Sequence, residues 1–247
     1  MYGYRGKLGL IIASSNGVFE SEAPRLVASG VSCHFARAPY PSPGTDEGAL
    51  AVLQSIEDCA KLLAGAPGSL GVDAICVNHG PATLAKGLET DHYVREKIAK
   101  ATGVMATTST TAIFEGLRKL GVKHVSLSVT FDSPQNQRMK EAFVASGFEV
   151  EAMVPSGLVQ PPPRLDHTVV SSQPPSTAYK LGKMADRPQS EAIVVSNSNL
   201  RTIEIIDSLE RDLAKYVVTA NQASIWHCLR LIGIHEPVRG FGRLLEI

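Results

Sequence analysis

Short apolar runs, rich in Val and Ile, recur along the chain at LGLIIA (8–13), DAICV (73–77), VSLSV (125–129), EAIVVS (191–196) and YVVTA (216–220). Apolar runs of this length predict buried strands. Between them apolar residues recur at three and four positions, which predicts helices over 46–65, 90–102, 109–120, 134–147, 174–186, 200–214 and 222–233. No proline interrupts the interior of these segments. Strands alternating with helices predict an α/β fold with parallel, doubly wound sheets. In such sheets ligands bind beyond the carboxyl ends of the strands, so the residues that follow each apolar run are the ones to weigh. The stretch from Pro155 to Pro175 contains PPP at 161–163 and PP at 174–175. Proline removes donors and fixes φ, so this stretch is expected to form a loop or lid.

The pattern repeats. VMATTSTTAIFEGLRKLG (104–121) lies over YVVTANQASIWHCLRLIG (216–233). Upstream, DAICVNHG (73–80) lies over EAIVVSNS (191–198), pairing His79 with Asn197, and LGLIIASSN (8–16) lies over HVSLSVTFD (124–132), pairing Ser15 with Phe131. A duplicated α/β unit is expected to pack with pseudo-twofold symmetry, its equivalent strand ends facing across a cleft. The expected halves are 1–108 plus 221–247, and 109–220, with the site between them.

Composition narrows the partners. The 247 residues are 44% hydrophobic and 19% charged, with 24 basic against 24 acidic side chains. That balance, with no run of Lys and Arg, argues against nucleic acid and for a small neutral or anionic ligand. The opening MYGYRGKLGLIIASSN offers about seven apolar or small residues in succession, too few for a secretory leader or a membrane span. Cys33, Cys59, Cys76 and Cys228 show neither a CxxC nor a Cys/His ligand spacing. A reduced, cytoplasmic protein without disulfides is expected. No Walker or Rossmann glycine spacing follows any strand and no metal-ligand cluster stands out, so no nucleotide, cofactor or metal is expected. A homo-oligomer is compatible with this composition.

The stretches SSNGVFESE (14–22), VNHGPATLAKG (77–87), GLRKLGVKHVSL (116–127), VSNSNLRTIEIIDSLERDL (195–213), VVTANQASIWHCLRLIG (217–233) and the tail GFGRLLEI resemble the maleate isomerase and arylmalonate decarboxylase branch of the aspartate/glutamate racemase superfamily. The resemblance spans almost the whole chain. It implies two flavodoxin-like halves with the active site between them. It also implies a cysteine at each facing strand end in racemases and maleate isomerases, and only the second in arylmalonate decarboxylase. Here those positions hold His79 and Asn197. The family pattern Cys-Thr-Asn-Leu-Arg-Thr reads Asn197-Ser198-Asn199-Leu200-Arg201-Thr202 in this chain. A tyrosine that commonly follows the second-half strand is replaced by Phe131, and the resemblance places a lid contact near His167.

These departures set the chemistry. Asn197 neither titrates near neutral pH nor serves as a nucleophile, so it is expected to hold a substrate oxygen by hydrogen bonds, or to cap the following turn. His79 is the one titratable group at the two key positions and suits a general acid or base, with helix capping as its structural alternative. Ser14, Ser15, Asn16, Ser198 and Asn199, with the amides of Gly80 and Ala82, are expected to bind a carboxylate. Cys76 and Cys228 are expected to be core thiols. One acid/base group favours one-sided proton chemistry on a small carboxylate through an enediolate-like intermediate, most simply a decarboxylase-type lyase reaction. Hydrolysis by His-activated water, isomerisation or racemisation, and a silent binding homologue are the alternatives.

Overall fold

A computed structural model describes residues 2–65, 71–129, 134–155 and 167–247. In chain order the first repeat runs β1 (Gly6–Ala13), α1 (Phe19–Leu26), β2 (Val31–Ala38), α2 (Asp46–Ala64), β3 (Ala74–Asn78), the single turn α3 (Gly80–Thr83), α4 (Leu88–Thr102), β4 (Met105–Thr108) and α5 (Ser109–Lys119). The second runs β5 (His124–Val129), α6 (Pro134–Ala145), β6 (Glu149–Pro155), α7 (His167–Ser171), α8 (Pro175–Ala185), β7 (Ala192–Val195), α9 (Ile206–Leu213), β8 (Tyr216–Thr219) and α10 (Ala220–Leu231), closed by a 3-10 turn at Arg243–Glu246. Each set of strands forms a four-stranded parallel sheet, ordered β2-β1-β3-β4 and β6-β5-β7-β8. The two orders are the same order, as the repeat predicts. No helix among the described residues is long and apolar enough to cross a membrane.

Strand alternation divides the buried apolar residues among three layers. Leu8, Leu10 and Ile12 of β1, Cys76 of β3, Val125 and Leu127 of β5 and Val194 of β7 join α1, α5 and α10 in one core shared by the two sheets. Ile11, Ile75 and Val77 face the other way, onto α2 and α4. Ile193, Val195 and Val217 do the same onto α8 and α9. Strands buried on both faces favour apolar residues at most positions; β5 is the exception, with Ser126 and Ser128 buried at alternate positions.

The repeat is also written in hydrogen bonds. Asp73 accepts from the Lys7 amide at 2.7 Å, and Glu191, at the matching position, accepts from the amides of His124 at 2.8 Å and Lys123 at 2.7 Å. Thr108 and Thr219 cap α5 and α10, accepting from the amides of Thr111 and Gln222. Both helices stop at a left-handed glycine, Gly121 (φ 73°) and Gly233 (φ 75°), where a side chain would be strained. The sheet registers correct the sequence match at two places. Ala74 pairs with Leu8 and Met105, whereas Ala192 pairs with Val125 and Tyr216. Thr108 is therefore the counterpart of Thr219, and Leu8 of Val125, each one residue away from the sequence overlay. At the α10 end one extra helical residue restores the match by the terminal glycines.

Candidate active site

A cavity of about 120 Å³ lies where the carboxyl ends of the two sheets meet. It is lined from the first half by Ala13, Ser15, Asn16, Tyr40, Gly44, Asn78, His79, Gly80 and Pro81, and by Ser109 at the start of α5. The second half supplies Val129, Gln135, Asn136, Met139, Ser196, Asn197, Ser198, Asn199 and Ala220. Its size suits a ligand of few heavy atoms, well under the roughly 300–1,000 Å³ of drug-sized pockets. No Asp, Glu, Lys or Arg is among these described lining residues; His79 and Tyr40 are the titratable ones. Ser109 and Ala220 open α5 and α10, so the positive ends of two helix dipoles abut the cavity and favour negative charge there.

His79 follows β3 and is buried. Its Nδ1 accepts the Ala82 amide at 3.2 Å, capping α3. A ring nitrogen that accepts carries a lone pair, so the neutral ring bears its proton on Nε2. The Tyr40 ring meets the imidazole edge-on, with centroids 4.7 Å apart. The Tyr40 hydroxyl accepts the Gly44 amide at 2.7 Å, and burial pushes its pKa above the ordinary phenol value against that bond. The Ala82 amide, expected to face a carboxylate, is thus spent on His79: it donates to the ring and to the His79 carbonyl. Pro81 has no amide to replace it.

At the opposite strand end Asn197 forms an Asx turn, its Oδ1 accepting the Asn199 amide at 2.7 Å. Its Nδ2 makes no hydrogen bond to the described residues and is the part of Asn197 open to a ligand. Asn16 and Asn199 fasten the halves together. Asn16 Nδ2 donates to the Ser198 carbonyl at 3.1 Å and to its Oγ at 3.3 Å, while Asn16 Oδ1 accepts the amides of Val18 and Phe19. Asn199 Oδ1 accepts the Gly17 amide at 2.8 Å and its Nδ2 donates to the Ser15 carbonyl at 3.5 Å. Arg37 secures this loop from outside, donating to the carbonyls of Ser14 and Asn16 and pairing with Glu20.

Of the residues singled out in the sequence, the fold brings His79, Gly80, Ser15, Asn16, Asn197, Ser198 and Asn199 to one cavity. Ser14 does not line it; this exposed serine accepts the Tyr40 amide through Oγ at 3.1 Å. Phe131 lies outside the described residues, and His167 begins α7. Tyr40, Asn78, Ser109 and the α6 residues Gln135, Asn136 and Met139 also line the cavity, and no sequence pattern singles them out. Tyr40 follows β2, so the rule of inspecting strand ends finds it once β2 is recognised.

The cysteines stand apart. None lines the cavity. Cys76 and Cys228 are fully buried, and Cys228 is pushed well above the ordinary thiol value by its contact with Cys76 and by burial. Burial lifts Cys33 to about 12. Such thiols are poor nucleophiles. The fold also gathers His124, Glu149 and Glu151 at the amino end of the second sheet. Spread over β5 and β6, they form no motif in the sequence. Their charges are met locally: His124 Nδ1 lies 2.7 Å from Glu151, and Lys123 pairs with Glu149 at 2.8 Å.

A family model described as arylmalonate decarboxylase matches residues 8–245. The arylmalonate decarboxylase of Bordetella bronchiseptica is 28% identical over 251 residues, covering 97% of this chain and 96% of that protein. The maleate isomerase of Nocardia farcinica is 26% identical over 252 residues, covering 97% and 95%. Among solved structures, a mutant Nocardia farcinica maleate cis-trans isomerase with a covalently bound succinylcysteine intermediate gives a TM-score of 0.86 at 23% identity over 98% of each chain. A double mutant of arylmalonate decarboxylase in its liganded form gives 0.84 at 24% identity over 97% and 98%. With sheets, repeat and cleft in agreement along nearly its whole length, the chain belongs to the arylmalonate decarboxylase family.

Proposed function

We propose that the protein is a cofactor-independent lyase that removes carbon dioxide from a small carboxylate-bearing substrate held between His79 and Asn197. The observation that carries this reading is the unlike pair at the facing strand ends: an imidazole whose Nδ1 is engaged, and a carboxamide, with no thiol beside either. Two-base racemisation needs a proton carrier on each face, and thiol addition to a double bond needs a nucleophile. Decarboxylation needs neither. The C–CO2 bond breaks, CO2 leaves, and the electron pair passes into the remaining carboxylate as an enediolate. The ends of α5 and α10 and the Asn197 carboxamide stabilise that charge. His79 donates from Nε2, first as a hydrogen bond to the enediolate and then as the proton taken by carbon; water reprotonates the imidazolate left behind, and the hydroxide so formed combines with the released CO2 as bicarbonate. A neutral imidazole at a helix start is suited to this electrophilic role.

Incubation with a panel of small 2-substituted malonates, following CO2 release, tests the reading. Release from at least one by the wild type and none by His79→Asn is the expected result. Absence of release across the panel, or equal release by the variant, overturns it. The cap itself favours one other reading, a small-molecule-binding homologue without turnover, because an imidazole that caps a helix has a structural task. That reading predicts saturable binding of a carboxylate with no CO2 formed.

A further inference from the structure

Asn78 ends β3, is 1% exposed and borders the cavity beside His79. Its orientation is fixed by its neighbours. Asn221 Nδ2 donates to Glu22 Oε2 at 2.6 Å and to the Ser198 carbonyl at 3.2 Å, so Asn221 turns its Oδ1 toward Asn78. Asn78 Nδ2 donates to that oxygen at 3.1 Å and to Ser224 Oγ at 3.4 Å. The Ser224 hydroxyl is itself spent on the Ala220 carbonyl at 2.7 Å, which leaves it an acceptor toward Asn78. Flipping the Asn78 amide would set oxygen against oxygen on Asn221. One group is left over: Asn78 Oδ1 is buried without a hydrogen-bond partner. A planar amide holds this oxygen on the branch away from Asn221 and Ser224, and a buried acceptor without a donor is a costly arrangement that native proteins rarely keep idle.

We propose that Asn78 is a specificity-determining residue whose Oδ1 acts as a fixed acceptor for a hydroxyl on the carbon next to the substrate carboxylate. The inference rests on the cavity being a carboxylate site, as proposed above. A hydroxyl fits better than an ammonium group, because a carboxamide oxygen is uncharged and the described lining residues include no carboxylate to answer a cation. The selected class is therefore small 2-hydroxycarboxylates. The Glu22–Asn221 pair positions Asn78, setting which end of its amide is offered.

Isothermal titration calorimetry with two probe pairs tests this: malonate against 2-hydroxymalonate, and propanoate against lactate. In the wild type the hydroxylated member of a pair should bind about tenfold tighter or more, since a site built around a hydroxyl penalises its absence. In Asn78→Leu, which keeps the volume and removes the acceptor, the ratio should fall to about one. A purely structural Asn78 would lower the Tm of the variant and leave the ratio unchanged, which overturns the proposal. The wild-type ratio is decisive even if the variant does not fold: equal affinities within both pairs refute the role of Asn78 while leaving the carboxylate site standing. If no member of either pair binds, the carboxylate reading fails and this inference falls with it.

Discussion

The Nδ1 of His79 accepts the backbone amide of Ala82 at 3.2 Å, so the residue that faces Asn197 across the cleft is also the cap of α3. This one contact decides which nitrogen can serve chemistry. Nitrogen-15 NMR of the ring in its neutral form should show a protonated Nε2 and an unprotonated Nδ1. A ring protonated at Nδ1 would make His79 a base toward the cavity and reverse its proposed role.

Asn16 and Ser14 stand two residues apart, yet their removal should have unequal effects. Asn16→Ala deletes the bonds to Ser198 and the acceptor for the Val18 and Phe19 amides, all from a buried side chain. A loss of about 2 kcal/mol or more is expected by urea denaturation. Ser14→Ala loses one accepted bond at an exposed position and should cost under about 1 kcal/mol. Equal effects would show that Asn16 does not hold the halves together.

Glu22 links α1 of the first half to the amides of Thr202 and Ile203 in the second. Burial raises its carboxyl above the ordinary value of 4.5, against the hydrogen bonds from Asn221, Thr202 and Ile203. The folded state therefore binds this proton more tightly than the unfolded chain. Its contribution to stability is greatest below about pH 4.5 and declines as pH rises through the raised value. Glu22→Gln removes that dependence. The stability difference, wild type minus variant, should fall with rising pH across this window; a flat or rising difference contradicts the assignment.

The thiols should be dispensable. Cys59, Cys76 and Cys228 are buried, and burial holds Cys33 at about 12. Native protein treated with iodoacetamide at neutral pH should retain its full turnover, with slow incorporation by mass spectrometry. Loss of activity in step with alkylation of one cysteine would return a thiol to the mechanism.

The fold was legible where burial is two-sided. β1, β3, β5, β7 and the buried edge strand β8 read directly as apolar runs, whereas the edge strands β2 and β6 are mostly half-buried, and VSCHFARA carries the polar residues such exposure allows. β4 is four residues long and half threonine. The helix expected over 200–214 begins only at Ile206, because Glu22 takes the amides of Thr202 and Ile203 and Arg201 lies in a loop. α1 is short and holds Pro24 within it, which breaks the sequence pattern of a helix. In the site, the internal repeat exposed His79 and Asn197 because equivalent strand ends meet. Asn78 was hidden because its partner Asn221 is 143 residues away, and what distinguishes it is an unpaired oxygen that no sequence displays. Asn16 and Asn199 were visible as polar strand-end residues, but their work in joining the halves depends on contacts 182 residues apart.

The central claim is that His79 delivers the proton that completes a decarboxylation. Asn at position 79 can still cap α3, since Asn is among the best capping residues, so His79→Asn should stay within about 0.5 kcal/mol of the wild-type stability while losing the Nε2 proton. The direct measurement is to supply a 2-substituted malonate in D2O and follow the product by proton NMR. The account predicts that the wild type yields a monocarboxylate carrying one deuterium at the α-carbon, and that folded His79→Asn yields none. Product formed by His79→Asn at the wild-type rate, or a wild type that binds the malonate and leaves it intact, would contradict it.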